Sequence, residues 1–216
     1  MNKRRKGLMI TGISLVAAFV LWTLLVSFVD VAPIGPKGTS VGFSTMNGYV
    51  HSAIGSNMLL YTVTDWLGLV PIGFALGFAV LGLIQWIKRR HLCKVDRSIL
   101  VLGVFYLIVA AVYLLFEFTV INYRPILIGG SVEASYPSST TMLVICVMST
   151  AAMQLYSRIK NAHFKWCLIS AIIAFTVFMV LGRIISGVHW ISDIIGGVLI
   201  SAGLVMLYGA IGGSDM

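Results

Sequence analysis

Charged side chains are scarce in this chain, 10% of its 216 residues, against a hydrophobic share of 59% and a mean hydropathy of +0.99. That scarcity excludes a soluble domain of this size and points to an integral membrane protein. Cysteine contributes little. Cys93, Cys146 and Cys167 lie in a basic loop, inside an apolar run and at the start of another, with neither the spacing of a metal site nor a disulfide framework. A continuous basic face is also missing. The formal charge is +8, but the basic residues fall in short clusters between apolar runs, so nucleic acid is not an expected partner and the clusters read as topology signals. The first apolar run, about 8–28, lacks the small-residue cleavage site of a secretory signal, because Phe28-Val29-Asp30-Val31 supplies none, and it is expected to be a retained membrane helix.

What is present is a series of apolar runs, at about 8–28, 66–87, 100–118, 141–156, 166–185 and 193–210. These lengths predict an all-α, polytopic membrane protein, a six-transmembrane-helix bundle formed by a single domain over 1–216. The stretch 31–60, with Pro33, Pro36 and several Gly, Ser and Asn residues, reads as a loop with room for a short interfacial helix. His51 within it has no acidic residue nearby in sequence and reads as a surface or packed histidine. Gly73 and Gly77 form a small-xxx-small face suited to close helix packing. Twelve of the fifteen Lys and Arg residues fall at the N-terminus, in the second-to-third connection and in the fourth-to-fifth connection. The positive-inside rule therefore predicts a multi-pass protein of the cell membrane with both termini cytoplasmic. Arg124, the Pro137 segment and the 183–193 stretch are then gathered on the exoplasmic face.

That last stretch is the strongest chemical signal. Arg183, His189 and Asp193 are inserted into sequence that is otherwise almost uncharged, and ionisable groups beside a membrane span point to function. A helix beginning near the histidine would stack Asp193 one turn below the imidazole. A carboxylate on one ring nitrogen fixes the tautomer and frees the other nitrogen's lone pair for attack, while a guanidinium offers a fork matched to phosphate oxygens. The expected chemistry is phosphoryl transfer through a phosphohistidine.

Two further polar stretches complete the pattern, Glu117-x6-Arg124-Pro125 and Pro137-Ser138-Ser139-Thr140, ahead of Gly182-Arg183-x5-His189-x3-Asp193. Together they resemble the signature of the type 2 phosphatidic acid phosphatase family, mostly six-span enzymes that hydrolyse lipid phosphates: K-x6-R-P, then P-S-G-H, then S-R-x5-H-x3-D. The resemblance implies His189 as nucleophile and Asp193 as its orienting carboxylate. It also implies Arg124 and Arg183 as the phosphate clamp, with Ser138 and the Ser139 and Thr140 segment completing the binding of a lipid phosphate drawn from the bilayer.

The departures from that signature are informative. Glu117 stands where the family has lysine, lowering the charge by two units where a phosphate must be held. It is expected either to pair with Arg124 or Arg183 or to recruit a divalent cation; no other cofactor or metal is implied. Thr140 replaces the histidine that protonates the leaving group, a task a threonine hydroxyl does not perform at neutral pH. A missing acid favours a substrate whose leaving group needs little help, such as a polyprenyl diphosphate, whereas the lost positive charge opposes the more anionic diphosphate. Two functions follow: a lipid phosphatase using His189, or a non-hydrolytic relative that binds, senses or moves a lipid phosphate.

Overall fold

The computed structural model of the chain describes residues 2–212. Six helices in it are long and apolar enough to cross a membrane, and the protein is a multi-pass, all-α membrane protein. In chain order the helices are α1 (Lys3–Phe28), α2 (Ser44–Ile54), α3 (Met58–Leu67), α4 (Leu69–Arg89), α5 (Arg97–Phe118), α6 (Ser139–Arg158), α7 (Ala162–Ile185) and α8 (Ile191–Gly212).

The short helix expected between the first two spans is α2. Asp30, at the end of the first span, holds its start by accepting hydrogen bonds from the Thr45 amide (2.7 Å) and the Ser44 hydroxyl (2.9 Å). The Thr45 amide and then the Ser44 hydroxyl hold its carboxyl below the usual carboxylate value. The second span begins earlier than its apolar run: α3 and α4 join at Gly68 into one crossing, Met58–Arg89. Asn57 explains the early start, since its side chain accepts from the Leu60 amide at 3.0 Å, a cap of a kind worth about 1 kcal/mol. Asn161 does the same for α7 through the Phe164 amide, also at 3.0 Å. At α7 the cap draws the polar 162–165 segment into the helix, whereas the segment after Asn57 is itself largely apolar and belongs to the span.

The middle of the bundle is made by α6 and α8, half of whose spanning windows are buried, while α3–α4 is only 11% buried and presents its side chains to lipid. The reason is in the sequence, because α6 carries Cys146, Thr150 and Gln154 and α8 carries Gly196, Gly197, Ser201 and Gly203. Small and weakly polar residues let membrane helices approach and hydrogen-bond, and there is no hydrophobic drive to bury leucine when lipid surrounds it. The α1–α8 crossing is the most extensive contact in the bundle and runs through Gly12 and Gly203. A Cβ on Gly12 would stand 2.8 Å from Leu207, and one on Gly203 would stand 2.9 Å from Val16. Gly73 and Gly77, the pair expected to pack closely, do not: nothing lies within 4 Å of either Cβ position. The inward face of α4 is instead the one carrying Pro71 and Phe78.

Candidate active site

The site forms where the α5–α6 connection folds over the end of α7 and the start of α8. Tyr123 bridges Ala134 and Ile128 bridges Ser131 in antiparallel fashion, with Gly129 and Gly130 at positive φ turning the chain between them. This hairpin is where Pro125 and Pro137 were expected to exclude helix, and it has two consequences. The Arg124 amide donates to the Glu133 carbonyl at 3.0 Å, and the Ser135 amide donates to the Asn122 carbonyl at 2.9 Å, so Glu133 and Ser135 are carried to the site beside Arg124. On the other side, Gly187 (φ 63°) lets the α7–α8 turn pass against the loop before α3. A Cβ there would fall 1.8 Å from the Gly55 carbonyl oxygen, so no other residue fits without moving the histidine two positions on.

His189 is buried, with both ring nitrogens engaged. Nδ1 lies 3.1 Å from the Ser135 carbonyl oxygen and 3.0 Å from the Ser135 hydroxyl, and Nε2 lies 3.3 Å from Nη1 of Arg124. A carbonyl only accepts and a guanidinium only donates, so the proton belongs on Nδ1 and the lone pair on Nε2 faces Arg124. Burial, then the charges of Arg124 and Arg183, push the imidazole well below its ordinary pKa of 6.5. It is therefore neutral at pH 7, the state a nitrogen nucleophile requires.

Asp193 does not stack directly under the ring as the i, i+4 spacing suggested. Its Oδ2 is 4.0 Å from Nδ1, outside hydrogen-bond distance, and Ser135 bridges the two by donating its hydroxyl to Oδ2 at 2.5 Å. The cause is local. α8 begins at Ile191, after the histidine, and Asp193 reaches back to accept from the Trp190 amide at 3.0 Å, which closes the first turn of α8 in the manner of a capping box. Asn122 (3.2 Å) and Ser192 (3.4 Å) also donate to the carboxylate. Asp193 is thus both a helix cap and, through Ser135, a support for the histidine.

Arg183 is 1% exposed, near the end of α7, with its guanidinium 5.1 Å from the Tyr61 ring centre. It donates to Thr140 Oγ1 at 2.8 Å and to Thr64 Oγ1 at 3.3 Å, and its Nη2 is 3.7 Å from an Asp65 carboxylate oxygen. Arg124 lies 6.0 Å from the same Tyr61 ring and pairs with Glu133 at 3.1 Å. Two guanidinium groups thus share one aromatic platform, and each has an exposed carboxylate as its present counter-ion.

Of the residues expected at the site, Arg124, Arg183, His189, Asp193 and Thr140 come together in this way. Ser138 does not join them: it is fully buried, its hydroxyl accepts from the Thr141 amide at the start of α6, and its amide donates to the Asp193 carbonyl at 3.0 Å. Ser139, in the first turn of α6, lines a cavity of about 450 Å3 together with Thr140 and Asp65. Glu117 pairs with neither arginine, because Glu133 and Asp65 occupy those places. It lies beside Ser135 and Tyr113 on a separate, small cavity. Among the described residues no three His, Cys, Asp or Glu side chains cluster as a ready-made metal site. His51 packs edge-on against Trp190, with ring centres 5.4 Å apart, as a packed histidine would.

Neither a family model nor a curated protein sequence matches this chain. Among solved structures it is similar to a transmembrane PAP2-type phosphatidylglycerolphosphate phosphatase from Bacillus subtilis, at 19% identity and a TM-score of 0.55, with 94% of each chain covered. The fold is PAP2-like.

Residues that sequence reading missed are those supplied by the hairpin and by α3: Ser135, Asn122, Glu133, Tyr61, Thr64 and Asp65. The one available signal was Thr64-Asp65 itself, an acidic residue at the border of an apolar run. A charge in that position calls for a partner.

Proposed function

We propose that this protein is a membrane lipid phosphatase that removes phosphate from a lipid phosphate or polyprenyl (di)phosphate by way of a phosphohistidine at His189. The observation that carries the reading is a neutral histidine whose Nδ1 is committed to Ser135 and whose Nε2 lone pair points at Arg124, with Arg183 nearby. Incoming phosphate oxygens would take the two guanidinium groups from Glu133 and Asp65, which seats phosphorus in front of Nε2. Attack forms the N–P bond and expels the lipid oxygen, and water then hydrolyses the phosphohistidine, returning the electron pair to Nε2. Ser135 and Asp193 hold the ring and the Nδ1 proton through both steps.

The test is phosphate release by the purified full-length chain in detergent micelles, with and without Mg2+, from phosphatidic acid and from a polyprenyl diphosphate. Release above the background of empty micelles is expected, together with an acid-labile, alkali-stable phosphoprotein after rapid quenching. A second reading, a non-hydrolytic lipid-phosphate binder of the same fold, is favoured by one observation: the Thr140 hydroxyl is bonded to Arg183, and no proton donor occupies the family histidine's position. Tight binding of phosphatidic acid without any turnover would establish it instead.

The chemistry is assigned to the exoplasmic face, with both termini cytoplasmic, because the basic clusters lie at the opposite ends of the spans from the hairpin. A cysteine introduced at Val132 in a variant without the native thiols should react with an impermeant maleimide added to intact cells, and one introduced at Asn161 should react only after lysis. The reverse pattern would put the site on the cytoplasmic face.

A further inference from the structure

The proton donor missing at Thr140 has a substitute in space, though not in sequence. Resting on the phosphatase reading, we infer that Asp65 is the general acid and base of the reaction. Its carboxylate is 3.7 Å from Nη2 of Arg183, the same nitrogen that donates to Thr140 Oγ1 at 2.8 Å, so α3 delivers an acid to the spot where the first turn of α6 supplies only a hydroxyl. The Asp65 side chain is 59% exposed.

The neighbouring cavity indicates which atom Asp65 serves. Asp65, Ser139 and Thr140 line it together with apolar residues such as Leu69, Ile72, Val109 and Leu143. A lipid with its phosphate on the arginines and its hydrocarbon in this groove must place the bridging oxygen between them, at Asp65. The other two carboxylates are less well placed. Glu133 pairs with Arg124, the arginine that touches the attacking nitrogen, and Glu117 is not among the residues that line this groove.

The step balances without any further reagent. The cycle begins with a phosphate seated on Arg183 and a proton on Asp65. As Nε2 bonds to phosphorus, the P–O bond to the lipid breaks, its electron pair stays on the lipid oxygen, and Asp65 gives that oxygen its proton. The resulting carboxylate then takes a proton from water as the water oxygen bonds to phosphorus and the N–P bond breaks. Inorganic phosphate leaves, and Asp65 is again protonated.

The test compares leaving groups in rapid-quench and steady-state measurements on the full chain, with dioctanoyl phosphatidic acid and p-nitrophenyl phosphate. For Asp65→Asn, single-turnover release of diacylglycerol should fall by about 10²- to 10⁴-fold, the scale of a lost general acid. The first-turnover burst of nitrophenolate, which needs no proton, should stay within about tenfold of wild type and be followed by slow turnover. Asp65→Glu should recover part of the lipid activity. Equal losses with both substrates, or no loss with the lipid, would overturn the role of Asp65 while leaving the phosphatase reading intact. Wild-type release no greater than that of His189→Ala would overturn both.

Discussion

His189→Ala is expected to remove phosphate release altogether, a fall of roughly 10⁴- to 10⁶-fold on the scale known for lost nucleophiles, and with it the acid-labile phosphoprotein. The ring's two nitrogens have different tasks. Nδ1 is fixed by the Ser135 carbonyl, which leaves Nε2 as the ring nitrogen whose lone pair faces the Arg124 guanidinium. Alanine leaves Arg124 and Arg183 in place, so binding of phosphatidic acid should persist within about tenfold while turnover is lost, separating chemistry from affinity. The pH profile should carry the same information. Because the imidazole titrates well below 6.5, the rate should hold as pH falls through 6.5 and decline only at more acid pH, where protonation of Nε2 removes the attacking pair. Asp193→Asn should cost less, roughly ten- to a hundredfold, because it acts on the ring through Ser135 and not by direct contact. Retained phosphate release in His189→Ala would reject the phosphohistidine mechanism.

The fold was legible in the sequence to a large degree, and the reason is physical. Lipid demands that every spanning backbone satisfy its own hydrogen bonds, so each apolar run of sufficient length has one structural solution. Boundaries were less legible where a capping side chain extended a helix into polar sequence, as at Asn161. Packing was harder to foresee, because a small-residue pair such as Gly73 and Gly77 does not say which helix meets it; Gly12 and Gly203, far apart in sequence, make the close crossing instead. The site divides in the same way. Arg183, His189 and Asp193 are close in sequence and were readable as a unit, but their spacing implied a direct carboxylate–imidazole contact that the helix start prevents. Ser135, Glu133 and Asp65 were not readable, since the first two arrive through hairpin pairing and the third through packing of α3 on α7. The two departures from the family pattern also take on different meanings. Thr140 has become a partner of Arg183, whereas Glu117 stands away from the arginines.

Arg183→Ala should produce the second largest loss, on the order of 10²- to 10³-fold in phosphate release, comparable to removal of one preorganised donor from a charge-stabilising site. Arg183 is the more buried arginine and the more tightly held, with Thr140, Thr64, the Tyr61 ring and Asp65 around it, while its Nε is buried without a partner. A buried guanidinium with a vacant donor is poised to gain a hydrogen bond when a phosphate arrives, which is the condition for strengthening as the reaction proceeds. Arg183→Lys keeps the charge but not the fork. It cannot bond Thr140 and Thr64 while also meeting a phosphate, and it should recover no more than about a tenth of the wild-type rate. Thermal unfolding distinguishes this from a folding defect: Arg183→Ala opens a cavity and should melt lower than the wild type, so its rate is read at a temperature where the variant remains folded. Full phosphatase activity in Arg183→Lys would mean that charge alone suffices, and that the contacts to Thr140 and Thr64 serve packing and not catalysis.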